Sequence, residues 1–252
     1  MSKEKKNQKQ KLGTIQSDFV TLTSHQLRTP LSGMKWLLEL LQKGEVGQLN
    51  KKQKDFIDKI YTSNERMIAL VNDLLEVSRL EAGNNKLYLQ PTDLTEIVRE
   101  IIREKKDVVK KKRLQVSFTT EQEPFPQVLT EPNKIKQALS NVISNAINYS
   151  FEAGKIVIDL KRQDGMMLGT VSDQGPGIPK QQQNLVFTKF FRGDNILKFE
   201  TNGTGLGLYI TKAFIEASGG RIWFSSGGGS ASGGKSEEGK GTTFYFTLPI
   251  AK

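Results

Sequence analysis

No cysteine occurs among the 252 residues, and histidine occurs once, as His25. The first absence excludes disulfides and thiolate-held metals and is compatible with a reducing compartment. The second leaves a single imidazole for any proton-transfer or nucleophilic chemistry that titrates near neutral pH. A run of ~18 consecutive apolar residues, the length needed to cross a bilayer, is also missing. The first ten residues, MSKEKKNQKQ, hold no apolar core of a secretory signal. We therefore expect a soluble, cytoplasmic chain with no membrane contact of its own. Acidic side chains are the minority, 27 against 37 basic, for a formal charge of +10. That balance suits an anionic ligand such as a nucleotide, or an acidic protein face. The charge alone is compatible with nucleic acid, which is not expected as a partner. The one dense basic run, residues 103–113, reads as a solvated face.

What is present begins with helical periodicity. Leu12, Ile15, Phe19 and Leu22 step by three and four, and the stripe resumes with Leu27, Leu31, Met34, Leu37, Leu38 and Leu41. Pro30 lacks a backbone donor, so a kink just after His25 is predicted. Residues 44–51 read as a turn, and a second stripe follows: Phe56, Ile57, Ile60, Asn64, Met67, Val71, Leu74 and Leu75, ending near Gly83. Two such helices form an antiparallel hairpin that cannot cover its own apolar stripe, which predicts a homodimer closing a four-helix bundle. His25 lies at the edge of the stripe, where its ring would reach solvent.

From residue 84 the pattern changes. Strands are predicted near 87–90, 114–119, 155–160, 167–171, 221–224 and 242–248, and helices over about 91–112, 131–150 and 204–218. Their order lacks strict strand–helix alternation, which suggests an open mixed sheet with helices on one face. Four constellations there carry candidate chemistry. Asn141 and Asn145 stand one helical turn apart, where neutral oxygens could hold a largely hydrated magnesium ion. Asp173, with Gly175 and Gly177, follows a strand, so the backbone can approach a flat ligand while the carboxylate accepts from an exocyclic amine. Gly203-Thr204-Gly205-Leu206-Gly207 opens a helix whose free amides suit phosphate. The segment 187–193 brings aromatics together with Arg192, which could reach a terminal phosphate, and residues 193–202 read as a lid. Residues 229–236 match the phosphate-loop pattern letter for letter, but no helix follows, so they read as a glycine-rich connection between strands.

Taken in order, these segments resemble the transmitter core of two-component sensor histidine kinases, from about residue 17 to 249. The resemblance implies an α+β chain: a helical hairpin forming a dimeric four-helix bundle, then a two-layer α/β sandwich of the gyrase and histidine-kinase ATPase type. Its implied division is 1–16 as a signal-helix extension, 17–83 as the dimerisation and phospho-acceptor domain, and 84–252 as the ATP-binding domain. Within the phospho-acceptor segment His25, Gln26, Arg28 and Thr29, His25 would take the phosphoryl group from ATP and pass it to an aspartate of a response-regulator receiver domain. Thr29 would help place water for dephosphorylating that partner. Asn145, helped by Asn141, would hold Mg2+, and Asp173 would recognise adenine beside Gly175 and Gly177. Tyr149 would pack near the base; Gly203, Gly205 and Gly207 would cradle phosphates and Arg192 contact the last one.

Two positions depart from that family. Gln26 stands where an acidic general base is usual; an amide can orient the ring but cannot take its proton. A base borrowed from the second helix, Glu65 or Asp73, would answer that. Asn148 replaces a basic residue that often faces the phosphates. A response-regulator phosphatase with weak kinase activity and a nucleotide-binding dimeric scaffold without turnover remain as alternatives. A gyrase-like ATPase would leave the bundle and His25 without a role.

Overall fold

The computed structural model describes residues 3–83, 86–194, 203–227 and 241–251, with side chains from Leu22 onward except that of His25. It divides into two units, Met1–Asn85 and Lys86–Lys252.

The first unit is a helical hairpin of α1 (Lys3–Lys43) and α2 (Lys51–Glu81). Helix α1 continues through Pro30 without a break in its helical run, although the proline withholds one backbone donor. Gly44 and Gly47, both with positive φ, close the turn. Asn50 then starts α2 with a reciprocal cap, accepting from the Gln53 amide at 2.9 Å while its own amide donates to the Gln53 side chain. The apolar stripes of the sequence divide in two. Leu31 and Leu38 on α1 face Val71 and Leu75 on α2 and are buried, with Asn64 in the same seam. Leu27, Met34 and Leu37, with Phe56, Ile60 and Met67, remain exposed. Leu31 and Leu38, and Asn64 and Val71, are seven residues apart in the first set, as are Leu27 and Met34, and Ile60 and Met67, in the second, so the hairpin has one filled seam and one open seam.

The second unit opens with β1 (Gln90–Thr92), α3 (Leu94–Glu104), α4 (Lys106–Lys111), β2 (Gln115–Thr120) and β3 (Val128–Thr130). It continues with α5 (Pro132–Tyr149), β4 (Lys155–Gln163), β5 (Met166–Ser172), α6 (Gly207–Ala217), β6 (Arg221–Ser226) and β7 (Thr242–Pro249). Five strands form one sheet in the order β2-β4-β5-β7-β6, with β2 parallel to β4 and every other pair antiparallel. β1 and β3 make a separate antiparallel pair. Burial alternates along β7, where Thr242, Phe244, Phe246 and Leu248 point inward. They meet the apolar sides of α5 (Ile135, Leu139, Val142, Ile143) and α6 (Ile210, Phe214, Ile215), so one core lies between the helix layer and one face of the sheet.

Several boundaries differ from expectation for local reasons. The strand expected at 87–90 lies at Gln90–Thr92, and the next helix waits until Leu94. There Asp93 caps it, accepting from the amides of Thr95 at 2.8 Å and Glu96 at 3.3 Å. The long helix expected to run to about residue 112 ends at Glu104 and resumes as α4. Strand β3, three residues long, is too short to show a period. Helix α6 starts at Gly207 rather than Thr204. Residues 195–202, most of the expected lid, and 228–240, which include the rejected phosphate-loop match, lie outside the described residues.

Candidate functional site

The segment expected to accept the phosphoryl group lies within α1. Gln26 and Thr29 are exposed, Ser24 is buried, and the Arg28 guanidinium donates to Asn72 Oδ1 on α2 at 2.7 Å. The expectation that the His25 ring reaches solvent lies outside the described side chains. The hairpin register does bear on the candidate bases. Arg28 meets Asn72, Lys35 Nζ lies 3.0 Å from Glu65, Tyr61 donates to Glu39, and Gln42 donates to Asp58. Along this antiparallel ladder residue 25 is level with residue 75. Glu65 sits ten residues farther down, about 15 Å at the α-helical rise, and is paired with Lys35. Of the two acids expected on α2, Asp73 is therefore the one at the level of His25, with Glu76 its acidic neighbour.

In the second unit, Asp173 follows β5 directly and is 8% exposed. Its Oδ1 accepts from the amide of Gly175 at 2.9 Å and from that of Thr242 at 3.2 Å. Burial dominates its titration and pushes the carboxyl up to about 6, the two amide hydrogen bonds opposing the rise. Gly241 completes this corner: a Cβ there would fall 2.0 Å from the Asp173 carbonyl oxygen, so only glycine lets β7 approach. Gly177 lies beside it, and the amide of Ile178 donates to Ser226 Oγ at 2.6 Å, tying the loop to β6.

Helix α5 supplies the facing wall. Asn145 and Asn148 are half-buried on it, and Tyr149 ends it. Asn141 Nδ2 donates to the Gly207 carbonyl at 3.0 Å, so this amide clips α5 to the first turn of α6. The Thr211 hydroxyl reinforces the clip by donating to the same carbonyl at 2.8 Å. Arg192, Tyr149 and Gly203 converge: a Cβ on Gly203 would lie 3.8 Å from Arg192 Nε and 3.9 Å from Tyr149 Oη. Gly205 has φ +70°, and a Cβ there would come within 2.7 Å of the Phe190 backbone. That glycine is required by packing against the 187–193 segment. Thr204 Oγ1 accepts from the Leu206 amide at 3.2 Å, Leu206 is fully buried, and α6 begins at Gly207 with its first amides unpaired within the helix. Phe187 anchors the segment by packing on Phe224 and Phe244, while Phe190 stays exposed.

The sequence-predicted residues of this unit thus gather around one region bounded by Asp173, α5 and the start of α6. Sequence reasoning missed Thr242 and Gly241, whose signal was a glycine preceding a strand 69 residues from its partner, and Thr211, which looked like an ordinary helix residue. A donor set of neutral amides on one helix fits a hard cation that keeps its waters and shares the ligand's phosphates. Among the described residues no group of three or more acidic or histidine side chains is arranged to hold a metal. Among them, too, no helix is long and apolar enough to cross a membrane.

Two family models match the chain: the His Kinase A (phospho-acceptor) domain over residues 15–83 and the histidine kinase-, DNA gyrase B- and HSP90-like ATPase over residues 130–252. The sensor histidine kinase WalK of Bacillus subtilis is 34% identical over 247 residues, covering 96% of this chain and 38% of WalK. The alginate biosynthesis sensor protein KinB of Pseudomonas aeruginosa is 31% identical, covering 94% of this chain and 37% of KinB. The chain thus spans well under half the length of these curated relatives. Among solved structures, full-length ShkA in complex with AMPPNP matches with a TM-score of 0.72 at 28% identity, covering 93% of this chain and 46% of ShkA. ThkA, solved in complex with the response regulator protein TrrA, shares the fold with a TM-score of 0.62 at 23% identity, covering 98% of this chain and 66% of that one. A phospho-acceptor helical hairpin followed by this ATPase fold, over almost the whole chain, makes it a member of the sensor histidine kinases of two-component signalling, spanning their transmitter core.

Proposed function

We propose that the chain binds ATP in the region between Asp173, α5 and the start of α6, phosphorylates its own His25, and passes the phosphoryl group to an aspartate of a response-regulator receiver domain. The observation that carries this reading is the buried Asp173 carboxyl, held by two backbone amides, in a chain whose other unit matches a phospho-acceptor domain. In this reading Asp173 accepts from the adenine amine and Tyr149 packs near the base. Arg192 and the amides of Gly203, Gly205 and Gly207 face the phosphates, and Asn145 would hold Mg2+, which would offset phosphate charge. Asn141 contributes by fixing α6 against α5. Asn148 supplies no positive charge, which leaves that task to Arg192.

A neutral His25 ring nitrogen attacks the terminal phosphorus. The new N–P bond replaces the bond to the bridging oxygen, ADP leaves, and the ring proton passes to a base. Gln26 orients the ring, and Asp73 or Glu76, at the same level on α2, takes the proton. The open seam of the hairpin is covered by a second copy, giving a dimeric four-helix bundle from residues 17–83. Residues 1–16 extend its first helix, and 84–252 hold the nucleotide. The working compartment is the cytoplasm, where ATP is supplied.

Incubation with γ-labelled ATP tests the reading: acid-labile, base-stable label that disappears in His25→Ala is the expected result. Free phosphate without labelled protein would sink it in favour of an ATPase. A second reading, regulator phosphatase with little kinase activity, is favoured by Gln26 and by the exposed Thr29. It predicts rapid loss of label from an acyl-phosphorylated receiver domain and almost none acquired by His25.

A further inference from the structure

Helix α5 carries most of the nucleotide wall, yet its last turn holds no basic residue to offset the negative end of the helix. The compensating charge comes from elsewhere. Lys112, at the end of α4 and half-buried, sends Nζ to the carbonyl oxygens of Ile147 at 2.8 Å, Asn148 at 2.7 Å and Ser150 at 3.1 Å. Three acceptors surround one ammonium, which is the side-chain group with three donors on a single atom. The carbonyl this arrangement skips, that of Tyr149, is the one against which Gly175 packs: a Cβ on Gly175 would lie 2.6 Å from it. The next residues continue the tie, since the Phe151 amide donates to Gln174 O at 3.0 Å and the Ala153 amide to Lys112 O at 3.0 Å. Lys112 therefore sits behind the junction where α5 meets the 173–175 loop.

We propose that Lys112 is a positioning residue for the nucleotide, an inference that rests on the ATP site described above. It holds the end of α5 in register with the Asp173–Gly175 loop, so that Asn145, Asn148 and Tyr149 stand at a fixed spacing from Asp173. It also neutralises helix carbonyls that would otherwise present negative potential to an anionic ligand. Its part is in binding. The basic run of residues 103–113 thus contains one lysine with an internal task among solvated neighbours.

The test compares wild type with Lys112→Met, which keeps the stem and removes the ammonium, and Lys112→Arg, whose planar fork cannot satisfy three convergent carbonyls. AMPPNP binding is measured by calorimetry on the full chain, and His25 labelling is measured against ATP concentration. Lys112→Met should weaken AMPPNP binding roughly tenfold and raise the KM for ATP equally, with the limiting labelling rate within twofold of wild type. Lys112→Arg should fall between the two. Should Lys112→Met fail to fold, Lys112→Arg decides: a loss of threefold or more supports the proposal, and wild-type affinity overturns it. Folded variants that both bind AMPPNP within twofold of wild type reduce Lys112 to a helix cap. If wild type itself does not bind AMPPNP, the nucleotide reading is wrong first and the inference falls with it.

Discussion

The two halves of the molecule treat apolar side chains differently. The ATP-binding unit closes its core: Ile143 on α5 and Phe246 on β7 are almost fully buried between one helix layer and one sheet face. The hairpin satisfies only one of its two seams and leaves Ile60 52% exposed, in line with Phe56 and Met67. The polar contacts follow the same division. The hairpin spends them on register, as in Asn64 Nδ2 donating to the Leu31 carbonyl at 2.9 Å inside the filled seam. The second unit spends them on holding a carboxylate, Asp173, where water is scarce. In the proposed reading, one half is completed by another copy and the other receives a small ligand.

Substitution of the same residue type in the two halves sharpens this contrast. Ile143→Ala leaves a cavity in a closed core and should cost the ATP-binding unit about 2–5 kcal/mol in thermal or denaturant unfolding. The hairpin's own transition should not move. Ile60→Glu removes no internal packing of comparable extent, so its effect should appear in assembly. Light scattering is expected to give a dimer for wild type at micromolar concentration and a monomer for the variant; a monomeric wild type would break the comparison outright.

A smaller effect comes from acid. The folded Asp173 carboxyl, raised to about 6 by burial, keeps a proton that an ordinary carboxyl near 3.8 has lost. Its contribution to the stability of the empty unit is complete below the lower value and is lost as pH rises through the upper one. Nucleotide affinity runs the opposite way, because the ionised carboxylate is the better acceptor. Below pH 6, AMPPNP affinity should drop by about tenfold per unit, and Asp173→Asn should flatten that slope. The smallest expected change belongs to the hairpin: Gln26→Glu should raise the His25 labelling rate at pH 7 severalfold. Asp73→Asn and Glu76→Gln tested beside it would show whether α2 supplies the base.

Much of this arrangement was legible because it repeats locally. The heptad steps of the hairpin, the apolar face of α5, and the strand that leads into Asp173 are patterns within single segments. Asp93 as a cap and the break at Lys105 were harder, since each depends on which residue first turns the chain. The roles of Asn141 and Gly205 were read from spacing as ligand contacts. The structure adds to those expectations a bond from Asn141 to the Gly207 carbonyl and the packing of Gly205 on Phe190, tasks created by neighbours 66 and 15 positions away in the chain. Thr242 and Lys112 escaped notice for the same reason.

By itself, the order of residues determined the two kinds of unit, the helix that carries the lone imidazole, and the segments able to face a nucleotide. Hydrophobic period and glycine placement act over a few residues, and no partner is needed to read them. Tertiary structure alone decided which seam of the hairpin is filled, which acid on α2 stands level with residue 25, and why Asp173 resists ionisation. Those outcomes depend on burial and on hydrogen bonds between segments far apart in the chain, where distance in space replaces distance in sequence.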